Sequence, residues 1–193
     1  MISGPVISIP VKTADEMRAL GRRLASVLRA GDLVILSGPL GAGKTTLTQG
    51  IAGGLGVRGP ITSPTFVIAR VHPPLRPSGE PCPSGGSRPS GDSRSRGPAL
   101  VHADAYRLGS SLELDDLDLD ADLGTSVTVV EWGEGLAEGL SEDRLEIHLT
   151  PAAPADSPTD GGETDAPRTV SISGVGSRWQ DIQLPPAEDA DRL

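Results

Sequence analysis

One short segment of the chain has the residue types and spacing of a phosphate-binding loop. Residues 38–45 (GPLGAGKT) match the pattern G-x-x-x-x-G-K-[ST], which is typical of a P-loop. In such a loop, glycines let backbone N–H groups turn toward phosphate oxygens, and a helix N-terminus adds partial positive charge. Lys44 is predicted to reach the β- and γ-phosphates, and Thr45 to hold Mg²⁺. The predicted nucleotide contacts are Gly38, Leu40, Gly41, Ala42, Gly43, Lys44, Thr45 and Thr46.

The alternative is a chance match in a glycine-rich chain. Glycine accounts for 25 of 193 residues, but the only lysines are Lys12 and Lys44. The flanking segments also fit, because residues 32–37 (DLVILS) predict a buried strand and residues 46–52 (TLTQGIA) predict a helix. Phosphate binding at a helix N-terminus requires this order of strand, loop and helix. The context therefore favours nucleotide binding.

The other predicted elements are those of an α/β fold. The sequence Thr13-Ala14-Asp15-Glu16 is a capping box that opens a helix, and Gly31 is expected to end it. The consecutive strands before and after residues 73–98 suggest a hairpin. We predict a P-loop NTPase-like three-layer sandwich with a mixed, mainly parallel central sheet. The predicted strands are 6–11, 32–37, 65–71, 99–104, 127–131, 144–149 and 169–173.

Two carboxylates end predicted strands and are candidates for Mg²⁺ chemistry. A P-loop NTPase needs one carboxylate near the end of a core strand for Mg²⁺, and a group that orients the attacking nucleophile. Glu131 is favoured as the metal ligand because its strand is the more apolar, and Asp104 then lies in the outer Mg²⁺ shell or polarises water. The alternative is that either acid only caps a turn.

Thr65 is a candidate switch residue. Proline stiffens the hydroxyl-rich segment Thr62-Ser63-Pro64-Thr65, which could meet a γ-phosphate. An ordinary loop entering a strand explains the segment equally well. The candidate catalytic residues are Lys44, Thr65, Asp104 and Glu131, and the candidate metal ligands are Thr45, Asp104 and Glu131.

Composition predicts one domain, residues 1–193, with unstructured additions. Residues 73–98 consist mostly of Pro, Ser, Gly and Arg and predict a disordered insertion; a substrate lid formed by its arginines is the less favoured alternative. A loop at 151–167 and a frayed tail at 186–193 are also expected. The formal net charge of −9 argues against a nucleic-acid-binding surface. No apolar run approaches membrane-spanning length, so a cytoplasmic protein without membrane attachment is expected.

Four motifs in order give the chain its resemblance to a known family. They are the P-loop, residues 62–66 (TSPTF), residues 102–108 (HADAYRL) and residues 131–134 (EWGE). Together they resemble the bacterial TsaE family over roughly residues 6–150. The fourth motif has Gly133 where the family commonly has proline.

The resemblance implies an ATPase of tRNA threonylcarbamoyladenosine biosynthesis. Its cofactors would be ATP and Mg²⁺, and it would support N6-threonylcarbamoylation of adenosine 37 together with the proteins TsaB and TsaD. Lys44, Thr45, Thr65, Asp104 and Glu131 match the family's nucleotide and switch positions. Thr13 matches a family nucleotide contact, although a helix N-cap explains it equally well. Arg178 is considered as a further nucleotide contact.

Two other function classes stay open on the residues alone. One is a P-loop small-molecule kinase, which an arginine-rich lid would favour. The other is a non-catalytic nucleotide-sensing adaptor, in which ATP binding governs assembly only. A GTPase is disfavoured because neither lysine lies in an Asn-Lys-x-Asp motif.

Overall fold

The structure, a computed structural model, describes most of the chain. The described residues are 4–64, 69–75, 97–115, 124–151 and 167–186. Thr65 lies outside them, as do residues 76–96 of the predicted insertion, 152–166 of the predicted loop and 187–193 of the predicted tail. Among the helices in the described ranges, none is long and apolar enough to span a membrane.

Within the described residues, seven strands form one sheet at the centre of the fold. Its spatial order is β1-β7-β6-β2-β5-β4-β3. The strands are β1 (Ile7–Val11), β2 (Leu33–Ser37), β3 (Ala69–His72), β4 (Ala99–Asp104), β5 (Ser126–Glu131), β6 (Arg144–Pro151) and β7 (Arg168–Val175).

The sheet is mixed and mainly parallel, as predicted. Strands β6, β2, β5 and β4 are parallel neighbours. Strand β7 is antiparallel to β6, and β1 is antiparallel to β7, so β1 runs in the same direction as the central four. The predicted hairpin is also confirmed, because β3 pairs antiparallel with β4.

Helices cover both faces of the sheet and complete the predicted sandwich. Helices α1 (Ala14–Ala25) and α2 (Lys44–Leu55) pack on one face, where Leu24 and Ile51 are fully buried. On the other face, α3 (Ser111–Asp115) buries Leu114 in a second, smaller core. Burial of this apolar surface is the main driving force that holds the layers together.

The two central strands carry the functional loops. Every residue of β2 and of β5 is buried, which is expected of parallel strands covered on both faces. Because these strands are parallel neighbours, their carboxyl ends lie at the same edge of the sheet. The P-loop after β2 and the carboxylate of Glu131 at the end of β5 are therefore brought together.

Both long helices end at positions other than the predicted ones. Helix α1 ends at Ala25, well before Gly31. Just beyond it the chain tightens, because the Ser26 hydroxyl donates to the Arg23 carbonyl and the Val27 N–H donates to the Leu24 carbonyl three residues back. Helix α2 continues beyond residue 52 to Leu55, and Gly56 caps it with a left-handed φ of 64°.

Close packing of α2 against α1 depends on glycine. A Cβ atom at Gly50 would overlap the carbonyl oxygen of Arg18 and would lie 2.8 Å from its Cα. Since these are backbone atoms that cannot rotate away, we expect Gly50→Ala to lower the free energy of unfolding by about 2–3 kcal/mol. Chemical denaturation of the purified variant measures this loss.

Gly53 of the same helix provides the matched control. It is exposed, and an added Cβ would meet no atom within 4 Å. Gly53→Ala should therefore stabilise the protein by about 0.5–1 kcal/mol through reduced chain entropy. Equal effects of the two substitutions would contradict the close helix approach.

Candidate functional site

The P-loop connects β2 to the first turn of α2, and its shape depends on glycine. Gly38 has a φ of 130°, and a Cβ there would collide with the Leu149 carbonyl oxygen on β6. Gly43, the N-cap of α2, has a left-handed φ of 102°. These conformations are accessible mainly to glycine and allow the N–H groups of the loop to point to a common centre.

A cavity of about 460 Å³ lies against this loop. Its lining combines P-loop residues with residues from the carboxyl ends of β4 and β5. The lining residues are Leu40, Gly41, Gly43, Lys44, Thr45, Thr46, Ser63, Asp104, Tyr106, Glu131 and Trp132.

Among the described residues that line this cavity, Lys44 is the only one with a cationic side chain. Its Nζ donates to the carbonyl oxygens of Gly38 at 2.7 Å and Pro39 at 2.9 Å, and lies 3.6 Å from the ring centroid of Trp132. Burial lowers the pKa of Lys44 from its usual range, while the carboxylates of Glu131 and Asp104 act in the opposite direction. A bound phosphate would further favour the charged ammonium form.

Glu131 and Thr45 are in direct contact. The Thr45 hydroxyl, at the first turn of α2, donates to Oε2 of Glu131 at 3.0 Å. The other carboxylate oxygen, Oε1, accepts from Nε2 of His102 at 2.8 Å. Only 2% of Glu131 is exposed, so its charge is stabilised by these contacts rather than by bulk water.

Asp104 lies beside Glu131 because of strand register. The two residues are paired neighbours on β4 and β5. Asp104 accepts hydrogen bonds from the Ser63 hydroxyl at 2.8 Å and from the Tyr106 N–H at 3.0 Å. The first contact ties the carboxylate to the segment that leads toward Thr65.

The available donors fit Mg²⁺ held jointly with a nucleotide. Mg²⁺ prefers hard oxygen ligands and is commonly bound by one or two carboxylates together with substrate phosphates and water. Thr45, Glu131 and Asp104 supply such oxygens at one end of the cavity. In the described parts of the chain, no group of three or more His, Cys, Asp or Glu residues could hold a metal ion alone. The oxygens of Thr45, Glu131 and Asp104 fit a metal that is shared with a nucleotide's phosphates.

Aromatic side chains cover one side of the cavity. The Trp132 ring packs against the Tyr106 ring at a tilt of 55°, with ring centroids 5.0 Å apart, and the Trp132 backbone has a left-handed φ of 60°. This conformation costs a non-glycine residue about 1–3 kcal/mol, and the Trp132 N–H offsets part of it by donating to the Leu36 carbonyl. The Trp132 ring lies over the Lys44 ammonium and lines the cavity.

Other sequence-predicted residues lie apart from this cavity. Thr13 is the N-cap of α1 and accepts from the Glu16 N–H; it is not among the described lining residues, and its nucleotide contact stays a prediction. The suggestion for Arg178 finds no support, because its guanidinium contacts Asp32 at the amino-terminal side of β2, away from the P-loop. Asp32 has a pKa raised mainly by burial.

His102 and Tyr106 were not predicted as site residues. The alternation of side chains along β4 places His102 and Asp104 on the same face, two residues apart. That spacing was visible in the sequence, but it did not show that His102 would reach Glu131 on β5.

Comparisons with known proteins agree with this architecture. A family model described as "Threonylcarbamoyl adenosine biosynthesis protein TsaE" matches residues 11–157. The "tRNA threonylcarbamoyladenosine biosynthesis protein TsaE" of Streptomyces coelicolor is 56% identical over 84% of this chain and 93% of that protein. The protein of the same name from Bacillus subtilis is 32% identical over 86% and 84% of the two chains. The crystal structure of Bacillus subtilis YdiB matches with a TM-score of 0.60 and 26% identity, over 91% of this chain and 90% of that one.

Fold and site together define an α/β sandwich of the P-loop type. The family model covers most of the chain, and the Streptomyces coelicolor and Bacillus subtilis relatives align along 93% and 84% of their own lengths. The chain belongs to the TsaE family.

Proposed function

We propose that this protein binds ATP with Mg²⁺ and hydrolyses it in the N6-threonylcarbamoyladenosine tRNA modification pathway. The observation that carries the proposal is the contact of Thr45 with Glu131 beside Lys44, at the mouth of the P-loop. It joins an ammonium, a hydroxyl and a carboxylate where a nucleotide's phosphates and metal would meet.

Each residue has a distinct role in this proposal. Backbone N–H groups of the P-loop bind phosphate oxygens, and Lys44 neutralises the charge that develops on the γ-phosphate. Thr45 and Glu131 would hold Mg²⁺, which would supply positive charge to the β- and γ-phosphates. Asp104 would lie in the outer metal shell or orient the attacking water. The water oxygen forms a bond to the γ-phosphorus as the bond from that phosphorus to the β–γ bridging oxygen breaks, which releases ADP and inorganic phosphate. Thr65 stays a predicted switch residue.

The pathway follows from the relatives' names. Proteins 56% and 32% identical to this chain are named for tRNA threonylcarbamoyladenosine biosynthesis. We propose that the protein acts with TsaB and TsaD and that the transfer to adenosine 37 takes place on TsaD. A formal net charge of −9 supports action without direct tRNA contact. A cytoplasmic location is part of the same proposal.

Phosphate release from ATP tests this function directly. The purified protein is assayed with Mg²⁺, alone and with TsaB and TsaD, and we expect hydrolysis that needs Mg²⁺ and rises when the partners are added. Phosphate transferred to an added metabolite would instead identify a small-molecule kinase. ATP binding without turnover under every condition would identify a nucleotide-sensing adaptor.

A further inference from the structure

His102 is a fully buried histidine in contact with a predicted metal ligand. It lies on β4, and none of its surface is exposed. Its Nε2 lies 2.8 Å from Oε1 of Glu131, which is itself buried. Since a carboxylate oxygen accepts, the ring nitrogen in this contact carries the proton.

The contact restricts the orientation of the Glu131 carboxylate. Oε1 is held by His102 from β4, and Oε2 faces the Thr45 hydroxyl at 3.0 Å. Without the histidine donor, the carboxylate could rotate about its last side-chain bond, and one buried oxygen would lose its partner. The other ring nitrogen, Nδ1, is buried and has no hydrogen-bond partner among the described residues. Within that part of the chain, Glu131 is therefore the one hydrogen-bond partner of the His102 ring.

We propose that His102 is a positioning residue, which directs the Glu131 carboxylate toward Thr45 and thereby sets the affinity of the site for a divalent cation. The inference rests on the proposed function, because it assigns to Glu131 the metal that ATP hydrolysis requires. Partners of metal-ligating carboxylates commonly affect metal affinity by about 10- to 100-fold.

Direct measurement of metal binding tests this role without relying on turnover. Mn²⁺, whose free aqueous form gives a strong electron paramagnetic resonance signal, is titrated into the protein with saturating ADP. We expect His102→Leu to raise the dissociation constant for Mn²⁺ by about 10- to 100-fold. His102→Gln, whose side-chain amide can donate at a similar distance from the backbone, should restore most of the affinity.

His72 gives a control for general damage to the core. It is also a buried histidine, its ring centroid lies 6.5 Å from that of His102, and its Nδ1 contacts the Arg58 carbonyl rather than Glu131. His72→Leu should lower thermal stability while leaving the Mn²⁺ dissociation constant within about twofold of wild type, because it removes no donor to Glu131.

The outcomes separate this inference from the proposed function. Unchanged Mn²⁺ affinity in His102→Leu, an equal loss in His102→Gln, or an equal loss in His72→Leu would overturn the positioning role. Failure of the wild-type protein to bind Mn²⁺ with ADP would overturn the proposed function, and the inference with it. Wild-type binding that is weakened in His102→Leu alone would support both.

Discussion

Lys44→Ala should reduce ATP turnover, measured with TsaB and TsaD present, to about a thousandth of the wild-type rate or less. Lys44 is the only cation in the described lining of the cavity. Its ammonium is held by two P-loop carbonyls and by the face of Trp132, so it is already positioned at the loop that would bind phosphate. Removing it leaves the charge developing on the γ-phosphate without its nearest side-chain donor.

Lys12 supplies the matched control for this prediction. It is the only other lysine in the chain and is exposed next to the N-cap of α1. Lys12 donates to the Glu16 carboxylate through its backbone N–H, which alanine retains. Lys12→Ala should therefore keep turnover within about twofold of wild type. A Lys44→Ala protein that is folded and still hydrolyses ATP at the wild-type rate would contradict the assigned role.

Glu131→Gln should lower turnover by about 100- to 1,000-fold and raise the Mg²⁺ concentration needed for half-maximal activity. The substitution keeps the size of the side chain but removes its charge. Each carboxylate oxygen of Glu131 now accepts a hydrogen bond, one from His102 and one from Thr45. Glutamine replaces one of these acceptors with an amide N–H₂ donor, so one of the two contacts becomes donor against donor. The same mismatch should lower the free energy of unfolding by about 1–3 kcal/mol.

Two other acids make this measurement specific. Asp104→Asn tests the neighbouring carboxylate. If it lowers turnover as much as Glu131→Gln but raises the Mg²⁺ concentration for half-maximal activity less, Asp104 is assigned to water orientation. Glu134→Gln is the control, since Glu134 is exposed and is not among the described lining residues of the cavity at the P-loop. If Glu134→Gln shifted the Mg²⁺ dependence as much as Glu131→Gln, the metal role of Glu131 would be wrong.

Much of the fold and part of the site were predictable because the relevant signals are local. The P-loop pattern extends over eight neighbouring residues, and the apolar runs of β2 and β5 predict buried strands directly. An acid at the end of such a strand lies at the same sheet edge as the P-loop whenever the strands are parallel. The sequence therefore predicts Lys44, Thr45, Asp104 and Glu131 as site residues, and all four line one cavity.

Helix boundaries were less predictable because they depend on packing as well as local signals. The sequence predicted helix only to residue 52, yet Gly53 and Gly54 remain helical and Gly56 adopts the left-handed cap. An added Cβ at Gly54 would lie 2.5 Å from the Cβ of Ala25, so this residue allows the close approach of α1 instead of ending its own helix. No pattern within α2 alone contains that information.

The chain's own sequence determined the P-loop, the strands that flank it and the acids that could serve a metal, since each depends on residue type and short-range spacing. The tertiary structure decided which side chains act on which. The pairing of Asp104 with Glu131 and the contact of His102 with Glu131 both depend on the register of β4 against β5. Register is set by packing and backbone pairing between segments distant in sequence, and side-chain contacts across strands follow from it.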